Sequence, residues 1–265
     1  MTGDDVTGGP GPDDARSASR MPPARLLPDT WRRPVLGVLG GMGPAATVAF
    51  LDALERATPA ARDQDHLDTV ILNHSTTPDR TARLHDASRP DPTPYLIGDL
   101  ELLARLGADR AVILCNTAHA FLDEDALPLP LLSLIRVGAQ AAVDVARASG
   151  SHGTPVTVLA TDGTLSSRLY QDALTDLGAE VRVPDPEQQR RVMAIIYDHV
   201  KAGVPVPREE FAEFVEEMRG GSGTVLLGCT ELSVLYDQAI IDGHPLPEHV
   251  VDAQAALVTR VLAES

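Results

Sequence analysis

The segment AVILCNT at residues 111–117 is a short apolar run that ends in a cysteine, and TVLLGCT at residues 224–230 repeats that pattern. Neither run alternates with polar residues, which is typical of strands that are buried on both faces of a parallel sheet. Each cysteine stands at the carboxyl end of a strand and before a helix, where open α/β sheets bind ligands. The two segments therefore predict an α/β fold that carries a thiol at the same place in two halves.

Apolar runs and helical periods alternate along the rest of the chain. Strands are predicted at residues 35–39, 69–72, 111–114, 131–134, 156–160, 180–183 and 224–227. Helical stripes of apolar residues lie between them, at residues 96–106, 192–199 and 211–218, and a last stripe lies at residues 257–262. The second of these helices is expected to begin at Asp185 and Pro186, which suit an N-cap and a first helical residue. This alternation predicts a mostly parallel sheet.

The chain also contains a weak internal repeat. The strand at residue 35 is echoed at residue 156, an offset of 121, and Cys115 is echoed at Cys229, an offset of 114. Two similar offsets predict two similar lobes. We expect the first lobe at residues 34–135 together with 245–265, because the last helix returns to it, and the second lobe at residues 136–244. Residues 1–33 lack apolar periodicity and are predicted to be a disordered N-terminal extension.

The composition limits the partners and the location. The chain has 22 Lys and Arg against 38 Asp and Glu, a formal charge of −16, which argues against binding to nucleic acid or to an anionic membrane surface. It has no apolar run long enough to span a bilayer, no secretory signal and two cysteines, so a cytoplasmic location with free thiols is expected. Lysine occurs once, at Lys201.

The paired cysteines suggest acid and base chemistry. The dipole and the N–H groups of a helix N-terminus lower the pKa of a thiol, so both thiols are expected to be reactive. One thiolate would remove a proton from carbon and the other thiol would return one to the opposite face, which inverts a stereocentre without a cofactor. A free cysteine is more often a core residue, but two at equivalent places favour chemistry. Cys115 and His119 lack a second ligand pair near Cys229, so no metal site is predicted.

A glycine loop after the first strand is a candidate anion site. Residues 40–47 read GGMGPAAT and contain the dinucleotide pattern G-x-G-x-x-A, but the second strand ends in Asn73 and His74 instead of an acidic residue. We therefore interpret the loop as a cradle for a small carboxylate, formed by Met42, Gly43 and the hydroxyl of Thr47.

Three charged residues are further candidates. Arg80 could hold a carboxylate through two hydrogen bonds, or it could be a surface residue that pairs with a nearby aspartate. Lys201 could bind a carboxylate, or it could simply favour the C-terminus of its helix. Glu231 could orient the thiol of Cys229 or relay its protons, or it could be an acidic residue in the first turn of a helix.

Several motifs together resemble the aspartate/glutamate racemase family of cofactor-independent amino-acid racemases. These motifs are LGGMGP at residues 39–44, PDRT at 78–81, CNTAH at 115–119, VKAG at 200–203 and GCTEL at 228–232. The resemblance extends from about residue 35 to the end of the sequence. It implies two Rossmann-like lobes related by a pseudo-two-fold axis, an active site between them, no cofactor and a homodimer.

The resemblance also implies roles for individual residues. Cys115 and Cys229 would be the acid and base residues, and Arg80 and Lys201 would hold the side-chain carboxylate of the substrate. The α-carboxylate would be bound by Asn116, Thr117 and Thr230, while Thr161 and Thr164 would close the second lobe's side of the site. The sequence departs from the family at Arg136, where an acidic residue is common, and in its N-terminal extension.

These features predict a PLP-independent racemase that acts on aspartate or glutamate, with a small acidic amino acid or dicarboxylate as its ligand. Two alternatives keep the fold and change the substrate: a maleate cis-trans isomerase, or a racemase or epimerase of a non-standard amino acid. A third alternative is a sensor that binds a dicarboxylate without converting it, although two thiols would then have no evident use.

Overall fold

The first lobe is built on a three-stranded parallel sheet. A computed structural model describes residues 25–148, 155–244 and 246–265. The strands are β1 (Leu36–Gly40), β2 (Thr69–Asn73) and β3 (Arg110–Ile113), in the order β2-β1-β3. The helices of this part are α1 (Pro44–Ala57), α2 (Arg80–His85) and α3 (Thr93–Leu106), and short 3₁₀ helices lie at Asp63–Asp65, Asn116–Phe121 and Glu124–Ala126.

The second lobe repeats this arrangement with a four-stranded parallel sheet. Its strands are β4 (Val156–Leu159), β5 (Val181–Arg182), β6 (Thr224–Leu227) and β7 (Val250–Asp252), in the order β5-β4-β6-β7. The remaining helices are α4 (Leu134–Ala148), α5 (Asp162–Ser166), α6 (Leu169–Asp176), α7 (Pro186–Ala194), α8 (Arg208–Arg219), α9 (Thr230–Ile241) and α10 (Ala253–Ala263), and a π-helix at Ile195–Val200 continues α7. The predicted α/β fold with two parallel sheets is confirmed.

The start of α7 follows the sequence closely. Asp185 is the N-cap and accepts hydrogen bonds from the N–H groups of Glu187 and Gln188, and the side chain of Gln188 accepts one in return from the N–H of Asp185. Pro186 is the first helical residue. This capping box confirms the predicted helix start.

Each sheet differs from the prediction in one strand, and these two strands occupy equivalent positions in the two lobes. The expected strand at residues 131–134 is reduced to a single parallel bridge between Leu131 and Ala111, because α4 already begins at Leu134. Its counterpart in the second sheet is β7, which the sequence analysis did not predict because three residues are too short to show a pattern. Residues 250–252 therefore belong to the second sheet, whereas we had expected the whole of residues 245–265 in the first lobe.

One apolar core is shared by the two sheets. It contains Leu36 and Val38 of β1, Val156 and Val158 of β4, and Leu257 of α10, together with most of the buried face of α4. Helix α10 contacts both α1 and α4, and α4 contacts α6 and β6. The last helix, which we had expected in the first lobe, thus packs against helices of both lobes. Two further cores cover the outer faces of the sheets, one under α3 and one under α7 and α8.

Residues before Pro34 form hydrogen bonds and an ion pair with the first lobe. The backbone N–H groups of Leu26 and Leu27 donate to the carbonyls of Arg105 and Leu106 at the end of α3. The side chain of Arg33 contacts Asp109 at 3.0 Å. The folded part therefore begins earlier than predicted, at least at residue 25, and residues 1–24 of the expected extension lie outside the described residues. Within the described part of the chain, no helix has the length and hydropathy that a membrane span requires.

Asp252 is a buried carboxyl group at the junction between β7 and α10. It caps α10 by accepting from the N–H of Ala255 at 2.7 Å, and the hydroxyl of Ser233 on α9 donates to it at 2.6 Å. Burial raises its pKa from 3.8 to about 7, although these two hydrogen bonds oppose the change. The carboxyl group is therefore protonated in the folded protein at a pH where it is ionised in the unfolded chain.

We expect this difference to make the free energy of unfolding depend on pH. The native state holds a proton that the unfolded state has lost between pH 3.8 and about 7, so the contribution of Asp252 is complete below pH 3.8 and is lost as the pH rises through 7. The total loss is on the order of 4 kcal/mol, at about 1.4 kcal/mol for each change of one in pKa. Urea unfolding of the wild type and of Asp252→Asn from pH 4.5 to 8 measures this loss as a change in the difference between their free energies of unfolding.

The stability of Asp252→Asn should rise relative to the wild type as the pH increases. Ser233→Ala removes a hydrogen bond that favours ionisation, so it should move the loss to higher pH. A constant difference between the wild type and Asp252→Asn across this range would contradict the assignment.

Candidate active site

Two buried thiols face one cavity between the lobes. Cys115 follows β3 and Cys229 follows β6, and each is the residue that precedes a helix, the 3₁₀ helix at Asn116–Phe121 and α9 respectively. Both thiols are free and about 95% buried, with exposed fractions of 6% and 5%. Because parallel strands present their carboxyl ends at one edge of a sheet, the shared core between the sheets brings these two ends together.

Most of the predicted site residues line this cavity. The residues of the cavity wall that the sequence analysis named are Met42, Arg80, Cys115, Asn116, Thr117, Thr161, Lys201, Cys229, Thr230 and Glu231. Three others lie outside the wall. Gly43 borders it, since a Cβ atom there would lie 2.9 Å from Glu231 Oε1. Thr164 supports it by hydrogen bonds to two wall residues, Thr117 and Thr161.

Thr47 does not reach the cavity. Its hydroxyl accepts from the N–H of Gly41 at 2.9 Å and donates to the carbonyl of Gly43 at 3.2 Å. The predicted role as a ligand for a carboxylate is therefore not supported by its position. The hydroxyl instead holds the glycine loop in shape, where Gly41 has a φ of +90° and approaches the backbone of His74 closely.

The cavity is closed in this structure. Its volume is about 10 Å³, close to the space that one water molecule needs. Larger cavities of about 750 and 540 Å³ exist elsewhere, one beside α8 and α9 and the other beside His119 and Arg136. The small cavity nevertheless brings both thiols together with Arg80, Lys201 and Glu231, so we take it as the candidate site. Any ligand larger than water requires the surrounding elements to move apart.

Glu231 connects Cys229 with Lys201. The thiol of Cys229 donates to Glu231 Oε2 at 3.0 Å, and Lys201 Nζ forms an ion pair with Glu231 Oε1. Burial and the charge of Glu231 raise the pKa of Cys229 well above its ordinary value, although Lys201 acts in the opposite direction. This corrects the expectation that a helix N-terminus lowers the pKa of both thiols. For Cys229, burial and an adjacent carboxylate outweigh the helix.

Lys201 keeps its positive charge although burial disfavours that charge. Burial lowers the pKa of Lys201, but the charges of Glu231, Cys229 and Cys115 outweigh burial and the net direction is upward. Lys201 follows the π-helix, in which its N–H donates to the carbonyl of Ile196 five residues earlier. Such wide turns occur often at functional sites.

Arg80 is a fixed cation on the side of Cys115. Its guanidinium donates to the carbonyls of Thr77, Pro78 and Met42 at 3.2, 3.0 and 2.9 Å, which ties α2 to the glycine loop. Its Nε is buried and has no partner among the described residues. Burial lowers the pKa of Arg80, but the negative charges near it, that of Cys115 first, raise it overall. The alternative of a surface ion pair is therefore wrong.

Four threonines join the lobes at the edge of the cavity. Thr81 and Thr117 come from the first lobe, and Thr161 and Thr164 come from the second. Thr117 Oγ1 lies 3.0 Å from Thr161 Oγ1 and 2.8 Å from Thr164 Oγ1, and Thr81 donates to Thr161 at 3.3 Å. Gly163 permits this contact, because a Cβ there would lie 2.9 Å from Thr81 Oγ1.

Three cavity residues were not predicted to belong to the site: Asp79 and Thr81, which are part of the PDRT motif, and Tyr197. The Tyr197 ring centroid lies 5.4 Å from Lys201 Nζ. Burial raises the pKa of Tyr197, so its hydroxyl stays protonated at neutral pH. The sequence could have indicated Tyr197, because it lies four residues before Lys201 and residues at this spacing share one face of a helix.

Arg136 lies away from the cavity. It forms an ion pair with Glu124 at 2.9 Å, and the same carboxylate contacts His119 Nδ1 at 2.7 Å and accepts from Ser133 at 2.8 Å. Burial raises the pKa of Glu124, but these partners outweigh it and hold the pKa below its ordinary value. The reversed charge at position 136 is thus balanced locally. Among the described residues, no group of three His, Cys, Asp or Glu side chains could hold a metal ion.

The model of the family described as Asp/Glu/Hydantoin racemase matches residues 39–261. The chain belongs to this family. The match includes both cysteine motifs, the glycine loop and Lys201, and it confirms the resemblance stated above. As a member of this cofactor-independent family, the protein is an isomerase.

Individual relatives agree with this assignment. The chain is 25% identical to a broad specificity amino-acid racemase of Bacillus subtilis over 209 residues, which cover 77% of this chain and 88% of the relative. It is 27% identical to a glutamate racemase of Koribacter versatilis over 236 residues, 86% of this chain and 70% of the relative. Among solved structures it is similar to Picrophilus torridus aspartate racemase, with 28% identity, a TM-score of 0.68 and coverage of 87% and 93%.

The effect of Glu231 on Cys229 leads to a testable prediction. Glu231→Gln removes the carboxylate that raises the pKa of Cys229 and leaves the cation of Lys201 nearby, so more thiolate should be present at pH 8. In a Cys115→Ala background, iodoacetamide should therefore modify Cys229 faster, by about tenfold for each fall of one in pKa. Mass spectrometry of the alkylated cysteine measures the rate.

Glu213→Gln is a suitable control, because Glu213 is exposed on α8 and away from the cavity. It should leave the rate of alkylation unchanged. An unchanged or slower rate in Glu231→Gln would show that Glu231 does not control the protonation of Cys229.

Proposed function

We propose that the protein racemises aspartate or glutamate by two-base proton transfer between Cys115 and Cys229, without PLP. The observation that carries this proposal is the convergence of two buried thiols, from equivalent positions of two repeated lobes, on one cavity that also holds Arg80 and Lys201. Two thiols on opposite sides of a bound amino acid are what inversion at a carbon atom requires. Two cations suit a ligand with a second carboxylate.

The surroundings of the thiols support a resting state with one thiol and one thiolate. Cys229 is the thiol, because it donates to Glu231 and its pKa is raised. Arg80 is the cation that would balance a thiolate at Cys115. In the first half of the reaction Cys115 would take the α-proton and Cys229 would give its own proton to the opposite face. The roles of the two cysteines would then be exchanged, and Lys201, which favours ionisation of Cys229, would balance the new thiolate.

The carbanion needs stabilisation as it forms. We propose that the carboxamide of Asn116, the hydroxyls of Thr117 and Thr230 and nearby backbone N–H groups donate to the α-carboxylate, where negative charge accumulates in the enolate-like transition state. These donors act strongly because the closed cavity excludes water. Thr161 and Thr164 would close the second lobe's side, and Met42 and Gly43 would border the substrate from the glycine loop.

A second candidate is a racemase with a wider range of amino-acid substrates. The observation that favours it is the ion pair between Lys201 and Glu231, which already neutralises the cation that a substrate carboxylate would use. The similarity to the broad specificity amino-acid racemase of Bacillus subtilis also supports it. An acidic substrate would have to share Lys201 with Glu231, whereas a neutral side chain would leave the pair intact.

Exchange in deuterated water tests both candidates. Each enantiomer of aspartate, glutamate and a set of neutral amino acids is incubated with the protein, and α-deuterium is detected by NMR. Exchange confined to acidic substrates supports the first proposal, and exchange across the set supports the second. Binding of a dicarboxylate without exchange would favour a sensor, and a covalent adduct with maleate would favour a cis-trans isomerase. Light scattering of the same preparation tests the homodimer that we expect from the family resemblance.

Cys115→Ala and Cys229→Ala should each reduce racemisation by about 100- to 10,000-fold, which is the usual contribution of a positioned acid or base. Each variant keeps one thiol, so any slow exchange it retains should occur with retention of configuration and for one enantiomer only. Cys115→Ala and Cys229→Ala should prefer opposite enantiomers, so each variant serves as the control for the other. Normal racemisation by either single variant would refute the two-base scheme.

Lys201→Met should discriminate between acidic and neutral substrates. Loss of a charged hydrogen bond to the side-chain carboxylate should reduce kcat/KM for the acidic substrate by about 10- to 100-fold. The unpaired Glu231 would affect all substrates alike, so the ratio of acidic to neutral kcat/KM is the quantity to measure. An equal loss for both classes would mean that Lys201 does not contact the substrate.

A further inference from the structure

Tyr170 is a fully buried residue that touches both cysteine motifs. It lies on α6 in the second lobe, and its exposed fraction is 0%. Its hydroxyl donates to Oδ1 of Asn116, the residue after Cys115 in the first lobe. Its ring packs on the backbone before Cys229, because a Cβ at Gly228 would lie 2.7 Å from Tyr170 Cε2.

The direction of this hydrogen bond fixes the carboxamide of Asn116. Burial, with the charges of Asp252 and Cys229, raises the pKa of Tyr170 well above its ordinary value, so the hydroxyl keeps its proton and acts as a donor. A carboxamide whose oxygen faces this donor must direct its NH₂ group elsewhere. Asn116 Nδ2 is buried and has no partner among the described residues, and Asn116 lines the cavity of the two thiols.

A buried donor without a partner is costly unless a ligand satisfies it. The position of Asn116 beside Cys115 and in the cavity wall makes a bound carboxylate the matching acceptor. A tyrosine that served only as core packing would require neither the contact with Asn116 nor an unsatisfied amide on its far side.

We propose that Tyr170 is a positioning residue that holds the Asn116 carboxamide with its NH₂ group toward the α-carboxylate of the substrate. This inference rests on the proposed racemase function for the identity of the carboxylate. The hydrogen bond from Tyr170 to Asn116 joins the two lobes. The second lobe therefore helps to arrange the cysteine motif of the first lobe. Tyr170 acts through Asn116 and has no direct contact with the substrate.

A double-mutant cycle tests the inference on activity. Tyr170→Phe keeps the ring and removes the hydroxyl, and it should lower kcat/KM for α-proton exchange by about 10- to 100-fold, as a misplaced substrate contact does. Asn116→Ala should cause a similar loss. If Tyr170 acts through Asn116, adding Tyr170→Phe to Asn116→Ala should cost no more than about a further twofold. Losses that multiply in the double variant would overturn the proposal.

A second measurement does not depend on activity. The chain contains two asparagines, Asn73 and Asn116, so protein grown with side-chain ¹⁵N-asparagine gives two carboxamide signals, and Asn116→Ala identifies one of them. Tyr170→Phe should shift the Asn116 signal and leave that of the exposed Asn73 in place. Tyr95→Phe, which removes the hydroxyl of an exposed tyrosine on α3, should shift neither. An unmoved Asn116 signal in Tyr170→Phe would overturn the proposal.

Asn116→Asp is a second variant in case Tyr170→Phe does not fold. It keeps an acceptor for Tyr170 but removes the NH₂ donor, so exchange should fall as far as in Asn116→Ala. Exchange at the wild-type rate would overturn the proposal. If the wild type exchanges no amino acid at all, the racemase function fails, whereas the carboxamide signals still decide whether Tyr170 positions Asn116.

Discussion

The structure depends on the burial of α4 and α10 between two parallel sheets. A parallel sheet must be covered on both faces, and here one core covers the inner face of each sheet. The two helices approach closely at Gly138, where a Cβ would lie 2.9 Å from the Cβ of Ala253. Because this contact fixes one sheet against the other, the carboxyl ends of β3 and β6 meet at a single cavity. The position of both thiols follows from that packing.

The two halves of the site have similar backbones but different electrostatics. The residue two positions after Cys115 is Thr117, and the residue two positions after Cys229 is Glu231. Thr117 joins the hydroxyl cluster between the lobes, whereas Glu231 accepts from Cys229 and pairs with Lys201. The carboxylate at this second position therefore makes Cys229 a hydrogen-bond donor. In the proposed reaction the two cysteines would share one task although their neighbouring side chains differ.

The sequence could predict those site residues whose positions depend on a local sequence pattern. Cys115, Cys229 and their neighbours could be placed because a buried strand followed by a helix fixes the position of the residue between them. Features that depend on the tertiary packing could not be predicted in this way. The raised pKa of Cys229 results from burial and from the orientation of Glu231, and β7 exists because β6 offers a free edge to three residues. Thr47 looked like a ligand, but only the folded loop shows that its hydroxyl is used internally.

Access to the site would require contacts between the lobes to change. The cavity has a volume of about 10 Å³, so the proposed substrate cannot enter until the elements around it separate. The hydroxyl contacts that join Thr81 and Thr117 to Thr161 and Thr164 are neutral hydrogen bonds, each worth about 1 kcal/mol net. Water can replace these three hydrogen bonds, so their loss would add little to the cost of opening. The apolar core around α4 and α10 lies behind the site and would act as the support about which these edges move. A site that opens at its hydroxyl edge and stays closed at its apolar base can admit a polar ligand and still exclude water when it closes.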